Sequence, residues 1–290
     1  ASRSGSDRGL SGVSAVTEQT FTLPTPPMLR VLSLGAGVQS TTLALMAARG
    51  EFGPMPDAAI FADTGWEPAA VYQHLNWLET QLPFPLHRVG IGSNIRADAI
   101  AKVNTTGQRF AAIPWYVLSP KGKTGIGRRQ CTKEYKLVPI RRKVSELLAG
   151  PKRPGSVEMW VGISLDEAWR RKPSGVKYIS NRWPLLELGM RRGDCLRWLA
   201  ERQYPRPPKS ACIGCPFHSN EMWREMKRDA PEEWADAVAV DRAIRNQPGM
   251  RGQQFMHPDR VPLDEVDLST AEDRGQLNLF LNECEGMCGV

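Results

Sequence analysis

Six cysteines carry the densest chemistry in this 290-residue chain. Cys212-x-x-Cys215-Pro lies in the Pro-rich stretch YPRPPKSACIGCPF, and a two-residue spacer in a loop lets two thiolates converge on one metal. Cys131 and Cys195 each sit among Arg and Lys residues, a setting that lowers a thiol's pKa and favours the metal-binding thiolate. Four thiolates suit a structural zinc or an iron–sulfur cluster, and spacing does not separate the two. Cys195 also reads as a small buried residue of an amphipathic helix. Cys284 and Cys288, in the terminal NECEGMCGV, form a separate pair. They read as a mobile catalytic thiol that carries a persulfide or attacks a substrate, as a replacement for Cys195 among the ligands, or as inert tail residues.

A second chemistry is written into RVLSLGAGVQSTTLAL, residues 30–45. A short apolar run reaches Ser33-Leu34-Gly35-Ala36-Gly37, and Gln39, Ser40 and Thr41 open a helix. Glycines let a backbone approach an anion closely, and the amides and dipole of a helix N-terminus hold it. Ser40 and Thr41 add hydroxyl donors. The lysine of the GxxxxGK[ST] loop is missing, which argues against γ-phosphoryl transfer. A second polar tip, Asp63-Thr64-Gly65, follows the apolar run DAAIFA and is expected to line the same nucleotide site.

These tips need a scaffold. Apolar runs at 28–35, 57–65, 86–92 and 157–164 read as buried strands. Helical periodicity fills 40–50, 68–82 and 138–150 between them. Strands alternating with helices predict an α/β, Rossmann-like parallel sheet with helices on both faces. Beyond residue 180 the character changes to short amphipathic helices, at 195–203 and, with a break near Pro231, at 220–247. The expected organisation is a disordered leader or non-native segment over 1–27, a nucleotide-binding domain over 28–180, and a C-terminal helical extension over 181–290 with a Cys-rich loop and tail.

Net charge is +7, with basic clusters at 121–136, 141–143, 169–172 and 190–194. Trp115, Tyr116, Trp169 and Trp183 are interleaved with them. Cations that meet phosphates beside rings that stack on bases point to nucleic acid as partner. Arg128, Arg129, Lys133, Lys136, Arg170 and Arg171 are the candidate phosphate contacts, each also readable as a solvated surface charge. Asp166 and Glu167 read as Mg²⁺ or ribose ligands, or as ion-pair partners of Arg170 and Arg171. No apolar run approaches the roughly 18 residues of a membrane span, and the N-terminus lacks a signal-peptide core. The expectation is a cytoplasmic protein without disulfides.

The motifs together resemble a family. SLGAGVQST followed by ADTGWEP is similar to the SGGxDS and DTGxExP motifs of the PP-loop, or adenine nucleotide α-hydrolase, superfamily. RRQCTKEYKLVPI, GISLDEAWRR with Gly162, and KSACIGCPF extend the likeness to its PAPS reductase-like branch, over most of 29–218. The resemblance implies an adenine-nucleotide-hydrolase-like fold. It implies ATP cleaved between the α- and β-phosphates, adenylation of an acceptor oxygen in tRNA or DNA, and displacement by sulfur from a cysteine desulfurase or another donor. It favours a [4Fe–4S] cluster on Cys131, Cys195, Cys212 and Cys215, or a three-cysteine cluster with an open iron. The motif Asp is Gln39 here, which weakens Mg²⁺ binding and keeps a second reading open: a PAPS or APS reductase with Cys284 as nucleophile. NECEG partly matches that branch's Glu-Cys-Gly-Leu-His tail, without the His. A third reading is a non-catalytic, zinc-stabilised nucleic-acid-binding protein. A homodimer is a further expectation.

Overall fold

The structure is a computed structural model in which residues 26–102, 112–250, 252–270 and 273 are described. In chain order the elements are β1 (Leu29–Leu34), α1 (Val38–Ala48), β2 (Ala58–Ala62), α2 (Ala69–Gln81), β3 (Leu86–Val89) and α3 (Ile95–Ala101). Then come β4 (Tyr116–Leu118), β5 (Thr124–Ile126), a π-helical turn (Thr132–Leu137) running into α4 (Val138–Leu147), and β6 (Val157–Val161). A 3₁₀ turn (Leu165–Arg170), β7 (Ile179–Arg182), α5 (Pro184–Glu187) and α6 (Arg192–Glu201) follow. α7 (Asn220–Asp229), α8 (Pro231–Ile244), β8 (Gln253–Phe255) and a last 3₁₀ turn (Leu263–Glu265) complete the described chain.

β3-β2-β1-β6-β7 form one sheet, parallel throughout. Side chains alternate along each strand, so each strand feeds two cores. Leu32, Leu34, Ala59, Phe61 and Trp160 face α1, α2 and α6, whereas Val31, Ile60, Ala62, Met159 and Val161 face α4. The α/β reading with helices on both faces holds. β7 crosses residue 180, and Leu185, Cys195, Trp198 and Leu199 pack into the core beside α1. The expected domain boundary at 180 therefore falls inside a strand, because short amphipathic segments after it close the sheet's own core.

A second core joins Trp66, α3, the π-helical turn, α7 and α8. It lies beside a three-stranded antiparallel sheet ordered β5-β4-β8, which has no counterpart in the sequence reading. Its strands are three residues each and carry no period that a sequence displays. The break expected near Pro231 is present: α7 ends at Asp229 and α8 begins at Pro231, whose missing N–H cannot continue the preceding helix. Among the described residues no helix is long and apolar enough to cross a membrane.

Candidate nucleotide and cysteine sites

The sheet's strand order reverses between β1 and β6. Strands β1, β2 and β3 step outward one way, and β6 and β7 the other. Ligands of open α/β sheets bind outside the carboxyl ends of the strands at this switch point. The glycine loop lies there. A pocket of about 130 Å³ is lined by Ser33–Gly35, Gly37, Gln39 and Ser40 from the β1 side and Val161, Gly162 and Ile163 from the β6 side.

α1 starts after Gly37 with no side-chain cap and no acidic residue in its first turn. Its first amides have no intrahelical acceptor, which makes an anion site. Ser40 Oγ accepts from Gly35 N at 3.2 Å and donates to the Gly37 carbonyl at 3.3 Å, holding the loop against the helix. Ala36 holds φ +60 while fully buried, a conformation that costs a non-glycine residue on the order of 1–3 kcal/mol. From far along the chain, Ser210 donates its hydroxyl to the Gly35 carbonyl and lines the pocket.

The other loop residues divide. Thr41 does not point at the pocket as expected. It is fully buried on the opposite side, with Oγ1 2.9 Å from His74 Nε2, because helical spacing turns position 41 into the core. Gln39 donates from Nε2 to Glu167 Oε2 at 3.2 Å and Ser164 Oγ at 3.4 Å. Glu167 lines the pocket and pairs with Arg170 at 2.6 Å. The neutral side chain at position 39 is thus coupled to a carboxylate supplied by the 3₁₀ turn.

The Asp63-Thr64-Gly65 tip turns towards the cysteines instead. Asp63 Oδ1 accepts from Gly65 N at 2.7 Å and Tyr72 OH at 2.8 Å. Thr64 Oγ1 lies 2.9 Å from Glu67 Oε1 and 3.3 Å from Cys212 Sγ. Thr64 lines a second pocket with Cys131, Cys212, Cys215, Arg129, Thr132 and Phe217. Lys136 lines both pockets, and its Nζ stands 3.8 Å from the buried Glu67 carboxylate. Glu67 Oε2, Arg129 Nη2 and Thr132 Oγ1 are buried without a hydrogen-bond partner among the described residues.

Three of the four expected ligands share this pocket, and Cys195 does not. It is fully buried beside α1 with Thr42 as hydrogen-bond partner, and burial pushes its thiol up to about 12. A protonated thiol in an apolar core is a packing residue, and the basic sequence around it does not reach it. Among the described residues no three Cys, His, Asp or Glu side chains stand close enough to hold a metal ion. The donor set of the pocket, three soft thiols beside the unmatched Arg129 Nη2 and Thr132 Oγ1, suits an iron–sulfur cluster chemically, but their placement is not that of bound ligands. Cys284 and Cys288 lie outside the described residues, as do residues 1–25.

Of the expected cationic contacts, Arg128, Lys133 and Arg171 are exposed, and Arg171 lies 5.5 Å over the Trp183 ring. Trp115 is 1% exposed, so it serves the second core and offers no stacking face. Trp169, by contrast, is 67% exposed. Ser210 is the site residue the sequence did not single out. Its role arises from a contact across 175 positions, for which a sequence carries no signal.

His74 and His218 are buried, and burial holds each imidazole down to about 4. Between that value and the ordinary 6.5 the unfolded chain binds protons the folded chain refuses, so stability is complete above pH 6.5 and falls as pH drops towards 4. Each group contributes on the order of 3 kcal/mol across that window. Urea midpoints are expected to fall steeply from pH 7 to pH 5, and less steeply in His74→Gln. A flat profile in the parent protein would contradict the burial of both rings.

No protein-family model matches the chain, and no curated protein matches it. Among solved structures it is similar to a phosphoadenylyl-sulfate (PAPS) reductase from Candida auris in its phosphate complex, at 14% identity and a TM-score of 0.42, over 62% of this chain and 75% of that one.

Proposed function

We propose that this protein is an adenine-nucleotide-dependent enzyme of the ATP-pyrophosphatase type, which adenylates an oxygen of a nucleic acid so that sulfur can displace it. The observation that carries the reading is the uncapped start of α1 at the switch point of the sheet, opening into a pocket with Gln39, Glu167 and Arg170. The motif resemblance supplies the identity of the nucleotide. The α1 amides, that of Ser40 among them, hold phosphate oxygens while the Ser40 hydroxyl braces the loop, and Arg170 and Lys136 offset the phosphate charge. Glu167, held by Gln39, offers the carboxylate for Mg²⁺ that position 39 lacks.

The acceptor oxygen attacks the α-phosphorus, the bond to the β-phosphate bridging oxygen breaks, and pyrophosphate leaves. A sulfur nucleophile from a donor such as a cysteine desulfurase then attacks the carbon bearing the adenylated oxygen, and AMP departs. Cys131, Cys212 and Cys215 are the residues that would hold an iron–sulfur cluster, whose chemistry when bound is to carry the incoming sulfur. Lys136 lines both this pocket and the nucleotide pocket and pairs with Glu67, which Thr64 contacts; this adjacency supports acceptor, nucleotide and sulfur meeting here.

The test is anaerobic incubation with ATP and Mg²⁺, with and without tRNA or DNA. The expected result is equal release of pyrophosphate and AMP that depends on one nucleic acid. Reduction of PAPS to sulfite without any pyrophosphate release would replace this reading with that of a sulfonucleotide reductase.

A further inference from the structure

A second cavity, of about 160 Å³, adjoins the nucleotide pocket beneath α4. The two share Ser33, Leu137, Ile140 and Val161 as common walls. Its remaining walls are largely apolar, from Met159, Ile179 and Pro173. Arg141, Lys172, Ser174 and Asn181 add polar groups to the lining, and one polar atom among them is unmatched. Asn181 donates from Nδ2 to the Lys172 carbonyl at 3.0 Å, which leaves Oδ1 as the other end of the amide. That Oδ1 is buried and has no hydrogen-bond partner among the described residues. A buried acceptor left unmade costs on the order of 1–3 kcal/mol, and an N–H donor entering the cavity would recover it.

One side of the cavity is braced and cationic. Arg141, on α4, donates to the Ser174 carbonyl and so ties the 172–174 segment to the helix. Lys172 lines the cavity, and Arg171 is exposed beside it. Just upstream, on the 3₁₀ turn whose Glu167 and Arg170 line the nucleotide pocket, Trp169 is 67% exposed. An exposed indole flanked by cations is the arrangement on which an unpaired base stacks while its phosphates are neutralised.

We propose that this cavity receives a single pyrimidine base of a single-stranded or locally unpaired nucleic acid, with Trp169 stacking on a neighbouring base of the strand. An apolar cavity of about 150 Å³ accepts one benzene-sized ring, so this volume suits one six-membered ring rather than a purine. Cytosine and uracil or thymine each present an N–H to an acceptor such as Asn181 Oδ1. The proposal rests on the nucleotide reading of the neighbouring pocket, since the shared walls bring the captured nucleotide beside the phosphate to be transferred.

The experiment measures binding of labelled oligothymidylate and oligouridylate to the full chain by fluorescence anisotropy at low salt, with ATP affinity measured in parallel. Trp169→Ala, a surface change, is expected to weaken oligonucleotide binding about tenfold or more, the value of one lost base stack, with Trp169→Phe restoring most of it. Ile179→Trp, which fills the cavity, and Asn181→Leu, which removes the acceptor, are expected to do the same while ATP affinity stays unchanged. The preference between the two oligonucleotides names the acceptor as DNA or RNA. Oligonucleotide binding equal to the parent in all three weakened variants overturns the proposal. So does loss of ATP affinity in Ile179→Trp with oligonucleotide binding intact, since the cavity would then hold the base of the nucleotide itself. Absence of ATP binding in the parent protein, with Trp169-dependent oligonucleotide binding present, counts against the nucleotide reading alone.

Discussion

Gly162→Ala is expected to abolish tight nucleotide binding. A Cβ at position 162 would stand 2.9 Å from both the backbone nitrogen and the Cα of Ser40, and 3.2 Å from the Gln39 carbonyl carbon. Those atoms belong to the first turn of α1, so no side-chain rotation relieves the overlap. The first turn must move away from β6, carrying with it the amides at the pocket. Overpacking of this kind costs roughly 1–3 kcal/mol of stability, and displacement of the amides is expected to weaken nucleotide binding by about a hundredfold. Calorimetric titration with ATP, together with a denaturation curve, separates the two effects. Gly37→Ala is the informative contrast. Its Cβ would meet only Ser210 Cβ at 3.5 Å, an ordinary contact, and its φ of −92 suits any residue. It is expected to retain near-parental stability. Equal nucleotide affinity in Gly162→Ala and the parent protein would show that the close approach of β6 to α1 does not shape the site.

Gly214→Ala is expected to displace the cysteine loop. The added Cβ would fall 2.0 Å from Trp66 Cη2 and within 2.8 Å of two further ring atoms. The indole cannot swing aside freely. It is 3% exposed within the second core, and its Nε1 donates to Asp236 at 2.7 Å. Asp236 is itself held by Arg96 at 2.5 Å. The loop must therefore lift, and Cys212 and Cys215 move with it. The expected cost is about 3 kcal/mol, at the upper end of overpacking, with a several-fold faster reaction of the loop thiols with a maleimide. Trp66→Leu combined with Gly214→Ala is expected to recover part of the lost stability, because a smaller side chain vacates the overlap. Unchanged stability and thiol reactivity in the single variant would refute the tight seating of Gly214 on Trp66.

The parallel α/β sheet was legible because its central strands β1, β2 and β6 are largely buried on both faces and read as apolar runs separated by helical periods, whereas the edge strand β7, Ile-Ser-Asn-Arg, carries no such run and was not legible. AAIFA in β2 is buried at every position. The glycine loop was legible for a similarly local reason, since a strand end, two glycines and a helix start lie within a few residues. The cysteines were legible only in part. Cys212 and Cys215 share a loop, and the sequence places them together. Cys131 joins them only because the π-helical turn that starts beside it runs along the same pocket. Cys195 carries a similar basic local sequence, yet α6 turns it into the core against α1, where burial keeps it protonated. Local sequence reports the charges near a residue along the chain, not the medium in which folding places it.

By itself, then, the sequence determined the fold class, the position of the glycine loop at a strand end, and the pairing of Cys212 with Cys215, all of which depend on residues a few positions apart. Only the tertiary structure decided that Thr41 faces the core, that Glu167 comes to stand beside Gln39, that Ser210 closes on Gly35, and that Lys136 lies between the two pockets. Each of these is a contact between distant segments, set by how helices seat on the two faces of the sheet. Hydrophobic period specifies which face of a helix is buried, but not which side chain of another element meets it there.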